Sequence, residues 1–179
     1  MEWRRSPIEQ LLDMATLSLQ SRIDQIDAFL VESVKDVCTT MLGWSAQACA
    51  PDPEHDPVSF GLREINGCIG FGGQMTGSIF LCCTNRLARA MARTIMGSDT
   101  PSEQDMSDVV AELTNMLAGG CKSRLCDSEC PVVMSIPNII RGQAIRATSR
   151  SIEFMLKQEF TLSIEGEEKL QVIILGKFE

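Results

Sequence analysis

An apolar residue recurs every three or four positions through the first quarter of the chain, and this spacing constrains the fold more than any other sequence feature. The residues are Ile8, Leu11, Leu12, Ala15, Leu19, Ile23, Ile26, Leu30, Val34, Val37 and Met41. Such spacing places apolar side chains along one face of an α-helix. Ser6, Pro7 and Glu9 form a helix start and Gly43 a helix end. The pattern predicts one long helix, or two helices with a break near Ser21.

A different pattern follows from Val58 to Thr84, where the residues favour strands. Two apolar runs flank the glycine-rich segment Gly70–Gln74, and this arrangement predicts a β-hairpin. A phosphate-binding loop is the alternative interpretation of these glycines. The sequence disfavours that loop, since no Gly-Lys-Ser/Thr follows and Met75 breaks the glycine spacing of nucleotide-binding loops.

Two more helices are expected in the middle of the chain. Thr84 can cap a helix that runs to Met96 and stops at Gly97. This helix carries an arginine face that is either solvated or a docking surface for an acidic partner, formed by Arg86, Arg89 and Arg93. Ser102 begins a capping box and a further helix that continues to about Leu125.

The C-terminal third indicates strands. Pro131 and Pro137 bracket a short extended piece. Apolar residues alternate with mostly polar ones from Ile152 to Ile164, Gly166 marks a turn, and Leu170–Leu175 is a second apolar run, which together predict an antiparallel hairpin. The sequence therefore predicts an α/β (α+β) fold in which antiparallel strands of two hairpins form one sheet packed against the long helices.

Charge and composition limit the possible functions. The 24 acidic and 16 basic residues give a net charge of −8, which disfavours nucleic acid and anionic membranes as partners. No signal peptide or membrane-spanning run is evident, so a cytoplasmic location is expected. The single histidine, His55, lies in the proline-rich segment Ala50–Pro57, which predicts an irregular loop. Any histidine-based triad or zinc site would have to use it.

Eight cysteines are present, and their surroundings argue against a disulfide framework. Four lie inside apolar segments and are expected to pack as small hydrophobic residues, namely Cys38, Cys68, Cys82 and Cys83. A metal or redox group formed by Cys121, Cys126 and Cys130 is an alternative. These three are spaced by five and four residues without a C-x-x-C motif or a nearby histidine, so no metal site is predicted.

The helix that begins at Ser102 has two distinct faces. At about 100° per residue its apolar residues fall on one side, namely Met106, Val109, Val110, Leu113, Met116, Leu117 and Cys121. A polar stripe falls on the other, formed by Asp108, Glu112, Asn115, Gly119 and Lys122. The Cβ atoms of Glu112 and Asn115 should lie about 5–6 Å apart. One interpretation is that this stripe is only a solvated face. Asn and Gly are poor helix formers, however, so their presence on the stripe indicates a role other than stability, and the lack of a side chain at Gly119 would let another backbone approach closely.

The segment Asp108–Leu125 resembles the E-x-x-N helix of CheX-type chemotaxis phosphatases, within the wider CheC/CheX/FliY group. Ile65–Leu81 resembles the first hairpin of that family, and Ala28–Gly43 resembles its opening helix. The resemblance covers about Asp24 to Phe178. It implies a CheX-like phosphatase domain over residues 24–179, preceded by an N-terminal helical extension over residues 1–23.

The resemblance also implies an activity, hydrolysis of the phospho-aspartate of a CheY-like receiver domain. Asn115 would position the attacking water without a covalent intermediate, and Glu112 would anchor the receiver's lysine. Asp108, Gly119 and Lys122 would complete the partner-binding surface. The chain itself would bind no cofactor, because the receiver supplies Mg²⁺.

Only one E-x-x-N helix of this kind occurs, which fits the CheX branch, and the resemblance implies a homodimer with one site in each copy. The alternative function is a non-catalytic module that binds a receiver or a flagellar-switch component.

Overall fold

Three helices form one side of the molecule in the computed structural model, which describes residues 7–50, 59–164, 166 and 168–179, with side chains from Thr16 onward. Helix α1 spans Pro7–Val37 and passes into a π-helical turn, Cys38–Leu42. Gly43 ends this turn with a φ of 68°. The helix is continuous through Ser21, which resolves the sequence alternatives in favour of one long helix.

Helices α2, Asn85–Met96, and α3, Glu103–Asp127, lie where the sequence predicts them. The Thr84 hydroxyl accepts a hydrogen bond from the backbone N–H of Leu87, and Gly97 ends α2 with a φ of 65°. Among the described residues no helix is both long and apolar enough to cross a bilayer. The predicted N-cap Ser6 and the loop with His55 lie outside the described residues.

Nine strands form the other side of the part of the chain that the structure describes. They are β1 (Ala46–Ala48), β2 (Ser59–Gly61), β3 (Ile65–Gly73), β4 (Met75–Cys83), β5 (Val132–Met134), β6 (Asn138–Arg141), β7 (Arg146–Thr148), β8 (Phe154–Leu162) and β9 (Glu168–Phe178). Seven of them build one antiparallel sheet in the order β1-β8-β9-β4-β3-β5, with β6 also paired to β3. Strands β2 and β7 form a separate pair.

Both predicted hairpins are confirmed, and pairing of β4 with β9 joins them in one sheet. The first turn, however, is shorter than the glycine-rich break indicates and occupies only its C-terminal end. Gly70 and Gly72 are strand residues of β3, and the chain reverses at Gln74. The physical reason is that Gly73, with a φ of 132°, has the only positive φ in that run, while the other glycines keep ordinary extended backbone.

The main sheet is buried on both faces. Leu170, Val172 and Ile174 of β9 join the large core beneath the helices. The intervening Ile173 and Leu175 join a smaller core under the β2–β7 pair. This two-sided burial explains why β9 is apolar at consecutive positions, since alternate side chains of a strand point to opposite faces.

Helix α3 contacts α1, α2 and β3, so it lies at the centre of the helical layer. Its approach to β3 depends on the glycine at position 67. A Cβ atom placed there would lie 1.9 Å from the Thr114 hydroxyl oxygen and 2.8 Å from the Thr114 Cβ. Thr114 is fully buried, and its hydroxyl donates to the Val110 carbonyl at 2.6 Å. Gly67 therefore permits close packing of the helix on the sheet.

Replacing Gly67 with alanine is expected to destabilise the protein by about 1–3 kcal/mol, because the added methyl group forces helix and sheet apart. Chemical denaturation measures this change. Gly72→Ala is the matched control in the same strand, since a Cβ there meets nothing within 4 Å. Equal stability of the two variants would show that the close approach of α3 to β3 is not required.

Candidate functional site

The polar stripe of α3 is the candidate site, and the capping of that helix fixes where the stripe begins. The Ser102 backbone N–H donates to the Asp105 carboxylate at 2.7 Å, and the Asp105 N–H donates to the Ser102 hydroxyl at 3.1 Å. Hydrogen bonds from the Ser102 side chain and backbone lower the pKa of the Asp105 carboxyl. The predicted capping box is thus confirmed.

The opposite face of α3 is buried as predicted. Its fully or nearly fully buried residues are Met106, Val109, Val110, Leu113, Leu117 and Cys121, and the half-buried Met116 packs against the same core. Burial of this face fixes the rotation of the helix about its axis. The polar stripe must therefore point away from the core.

Glu112 and Asn115 are both exposed at the middle of the stripe. Within the described part of the chain, neither side chain makes a hydrogen bond or an ion pair. Their three-residue separation puts the Cβ atoms about 5–6 Å apart on one helical surface. A free carboxylate and a free carboxamide therefore stand side by side, available to a partner molecule.

The three other predicted site residues lie on the same stripe but differ in environment. Asp108 is exposed and accepts a hydrogen bond from the Gln104 amide at 2.7 Å. A Cβ atom at Gly119 would meet nothing within 4 Å, so this chain's own packing does not require a glycine there. Lys122 is half-buried at the rim of an apolar crevice between α1, α3 and β5, where Phe29 and Leu125 also lie.

A polar cluster holds the C-terminal half of α3 against α1. The Arg124 guanidinium lies 2.5 Å from the Asp36 carboxylate and 3.3 Å from that of Glu32, and it donates to the Ser33 hydroxyl at 3.2 Å. Hydrogen bonding to Asp36 and Glu32 raises the pKa of Arg124. At Gly120 a Cβ would lie 3.1 Å from the Ser33 hydroxyl oxygen, so the two helices touch here.

Two features that position the site were missed from the sequence. The Gly67–Thr114 contact had one available signal, because a glycine inside an apolar strand indicates close approach of another backbone. The Arg124 cluster had none, because its carboxylate partners lie 88 and 92 residues away along the chain.

The alternative cysteine site does not assemble in the described region. Cys121 and Cys130 are buried while Cys126 is exposed. Burial raises the pKa of the Cys121 thiol to about 11, so it is protonated at neutral pH. No group of three or more His, Cys, Asp or Glu able to hold a metal ion lies among the residues that the structure describes.

The arginine face of α2 is exposed, and two of its members contact nearby groups. Arg86 Nε lies 2.8 Å from the Glu168 carboxylate, and Arg93 Nε donates to the Asp99 carbonyl at 2.8 Å. These interactions occupy part of the face. They fit the solvated interpretation as well as docking of an acidic partner.

The stripe has the chemistry for orienting a small polar molecule. A carboxamide donates and accepts hydrogen bonds without carrying charge, while a carboxylate accepts bonds from a cation. A water molecule and an ammonium group are therefore the kinds of ligand that Asn115 and Glu112 can hold.

Several crystal structures share this fold. The chemotaxis protein CheX from Desulfovibrio desulfuricans matches with a TM-score of 0.74 and 21% identity over 85% of this chain and 99% of that one. A CheC-like superfamily protein from Shewanella matches with a TM-score of 0.73 and 22% identity, covering 86% and 97% of the two chains. The CheX-CheY-BeF3-Mg²⁺ complex from Borrelia burgdorferi matches with a TM-score of 0.62 and 17% identity, covering 84% and 96%.

Comparison with curated proteins gives no match. The family model for chemotaxis phosphatase CheX matches residues 65–161, which is more than half of the chain and includes the whole polar stripe of α3. The chain therefore belongs to the CheX family of chemotaxis phosphatases.

Proposed function

We propose that this protein hydrolyses the phospho-aspartate of a CheY-like receiver domain. The observation that carries the proposal is the exposed Asn115 carboxamide, which has no hydrogen-bond partner among the described residues and lies next to Glu112. Two supports come from relatives. The chain belongs to the chemotaxis phosphatase CheX family, and a CheX of the same fold forms a complex with CheY, BeF3 and Mg²⁺.

Asn115 has the role of positioning the attacking water. An acyl phosphate on a receiver already has a Mg²⁺ ion and a lysine from the receiver itself, and it lacks an oriented nucleophile. The Asn115 amide enters the receiver's active site and holds one water in line with the phosphorus atom, as glutamine does in GTP hydrolysis. Water then replaces the aspartyl oxygen directly, so no phosphoryl group is transferred to this protein.

Glu112 has the role of docking. Its carboxylate accepts a charge-assisted hydrogen bond from the receiver's lysine, and this bond fixes the angle at which Asn115 enters. Asp108, Gly119 and Lys122 complete the contact surface along the same stripe. The chain contributes no metal ion or covalent nucleophile to this reaction, and its catalytic effect comes from positioning.

Each chain carries one such stripe, and we propose a homodimer that presents two. The two sites of a symmetric pair are identical, because the same surface patch occurs on both subunits.

Asn115→Ala is expected to lower the rate of phosphate release by about two to three orders of magnitude, since it removes a positioned polar group. Stability should not fall, because the side chain is exposed and makes no hydrogen bond or ion pair with the described residues. The measurement is phosphate release from a panel of phosphorylated receivers. Asn85→Ala, the same change at an exposed position on α2, serves as control.

A parental rate for Asn115→Ala would refute the catalytic role. Binding of the phosphorylated receiver by the parent protein without faster phosphate release would instead support the non-catalytic receiver-binding module.

Glu112→Ala is expected to weaken receiver binding by about ten- to a hundredfold, the worth of a hydrogen bond to a charged group. Its effect should appear mainly in KM, whereas Asn115→Ala should change mainly kcat. Steady-state phosphate release over a range of receiver concentrations separates the two. Unchanged KM in Glu112→Ala would remove Glu112 from the docking surface.

Gly119→Ala is expected to stabilise the free protein by about 0.5–1 kcal/mol, because alanine is the better helix former and the site has open space. The same change should raise KM by obstructing the receiver. Thr94→Ala is the control, because Thr94 is exposed on α2, away from the stripe, and should affect stability alone. A parental KM in Gly119→Ala would show that no partner approaches closely at this point.

A further inference from the structure

A cleft of about 340 Å³ lies beside the arginine face of α2, and no residue of the polar stripe lines it. Arg86, Arg89 and Arg93 form one wall, and Trp44 and Ile164 line the cleft from the segments that follow the π-helical turn and β8. No carboxylate is among the described residues that line it. Pockets that bind small molecules have volumes of about 300–1,000 Å³, so the cleft has the size of a ligand site.

The positive charge on this wall is not balanced within α2. The helix contains three arginines and no acidic residue. Arg89 and Arg93 are four residues apart, a spacing at which like charges on a helix repel each other. Arg89 makes no hydrogen bond or ion pair within the described part of the chain, and Arg93 has no carboxylate partner there. Two guanidinium groups therefore line one cleft, and a bound anion would relieve their repulsion.

Contacts with neighbouring segments orient two of the three arginines. Arg86 Nε lies 2.8 Å from the carboxylate of Glu168, a buried residue that also accepts a hydrogen bond from the Thr84 hydroxyl at 3.3 Å. Arg93 Nε donates to the Asp99 carbonyl at 2.8 Å, which leaves the two terminal nitrogens of its guanidinium without a partner among the described residues. A guanidinium with free terminal nitrogens binds the oxygens of a phosphate or carboxylate in a fork.

The remainder of the cleft includes apolar side chains. Trp44 and Ile164 are half-buried and pack against the large core. The Trp44 indole N–H makes no hydrogen bond within the described part of the chain. A tryptophan side chain offers a flat apolar surface for stacking together with one N–H donor. The cleft thus suits a ligand that has an anionic group at one end and a planar ring at the other.

We infer that this cleft binds a nucleotide. Arg89 and Arg93 bind its phosphate, and the base packs against Trp44 and Ile164. An acidic protein fits the cleft less well, because a protein partner covers about 800 Å² and about 20–30 residues on each side, far more than one cleft provides. The inference goes beyond the proposed function, and none of its residues belongs to the polar stripe.

The test is isothermal titration calorimetry of the full chain with AMP, GMP, CMP, UMP and inorganic phosphate. Salt at about 0.15 M screens long-range charge attraction. At least one nucleotide should bind about tenfold more tightly than inorganic phosphate, since stacking of the base adds to the contact. Arg89→Gln should weaken nucleotide binding by about ten- to a hundredfold, the worth of a hydrogen bond to a charged group. Its fold, checked by circular dichroism, should be unchanged, because Arg89 is exposed.

Trp44 supplies a second readout, because the sequence contains one other tryptophan, Trp3. Stacking of the base should quench Trp44 fluorescence, and Trp44→Phe should remove that quenching. Quenching that persists in Trp44→Phe would overturn the placement of the base.

Arg150→Gln is the matched control, because Arg150 is exposed, loses the same charge and does not line the cleft. It should leave nucleotide affinity unchanged. Equal weakening by both arginine changes, no binding of any of the four nucleotides, or inorganic phosphate bound as tightly as the nucleotides would overturn the inference. So would tight binding of a glutamate-rich peptide in their place, which would make the face a docking surface for an acidic partner. No arm measures phosphate release from a receiver, so the proposed function keeps its own test.

Discussion

The packing of α3 on β3 is the contact on which the site depends. Thr114 is buried directly against Gly67, and Asn115 is the next residue along the helix. Because adjacent residues lie 100° apart on a helix, burial of one side fixes the direction of the other. The contact between Thr114 and Gly67 therefore holds α3 at a rotation that directs the Asn115 carboxamide away from the core. The geometry of the site is therefore a consequence of core packing.

This arrangement suits catalysis by a rigid positioning group. Asn115 projects from the middle of a 25-residue helix that the capping box fixes at one end and the Arg124 cluster near the other. An amide on such a scaffold loses little entropy when it orders a water molecule, and orientation of reactants is itself a large source of rate enhancement. The chain needs no histidine or reactive cysteine for this chemistry. Burial raises the pKa of the Cys38 and Cys121 thiols, which are inert packing residues of the core.

The sequence predicted the parts of the fold that have a long periodic signal. Helices α1, α2 and α3, both hairpins and the outward direction of the stripe followed from spacing and caps. Strands β1, β6 and β7 were missed, because three or four residues are too few to show a period and their pairing partners are distant in sequence. The first hairpin turn was drawn too long, since glycine composition does not reveal which glycine has a positive φ.

The residues of the candidate site were named from the sequence, but the contacts that position their helix were not. Asp108, Glu112, Asn115, Gly119 and Lys122 share a face at helical spacing, which the sequence alone shows. The contacts that hold the helix come from β3 and α1, and they depend on tertiary structure. The roles proposed for these residues rest on the family resemblance and on surface chemistry together.

A structure of this protein bound to its receiver, with BeF3 and Mg²⁺ at the receiver's aspartate, would test the central claim most directly. The account predicts that the Asn115 amide lies within about 3.5 Å of the position of a water in line with the beryllium atom, and that Glu112 contacts the receiver's lysine. A complex in which another surface of this protein meets the receiver, with Asn115 left in solvent, would contradict it.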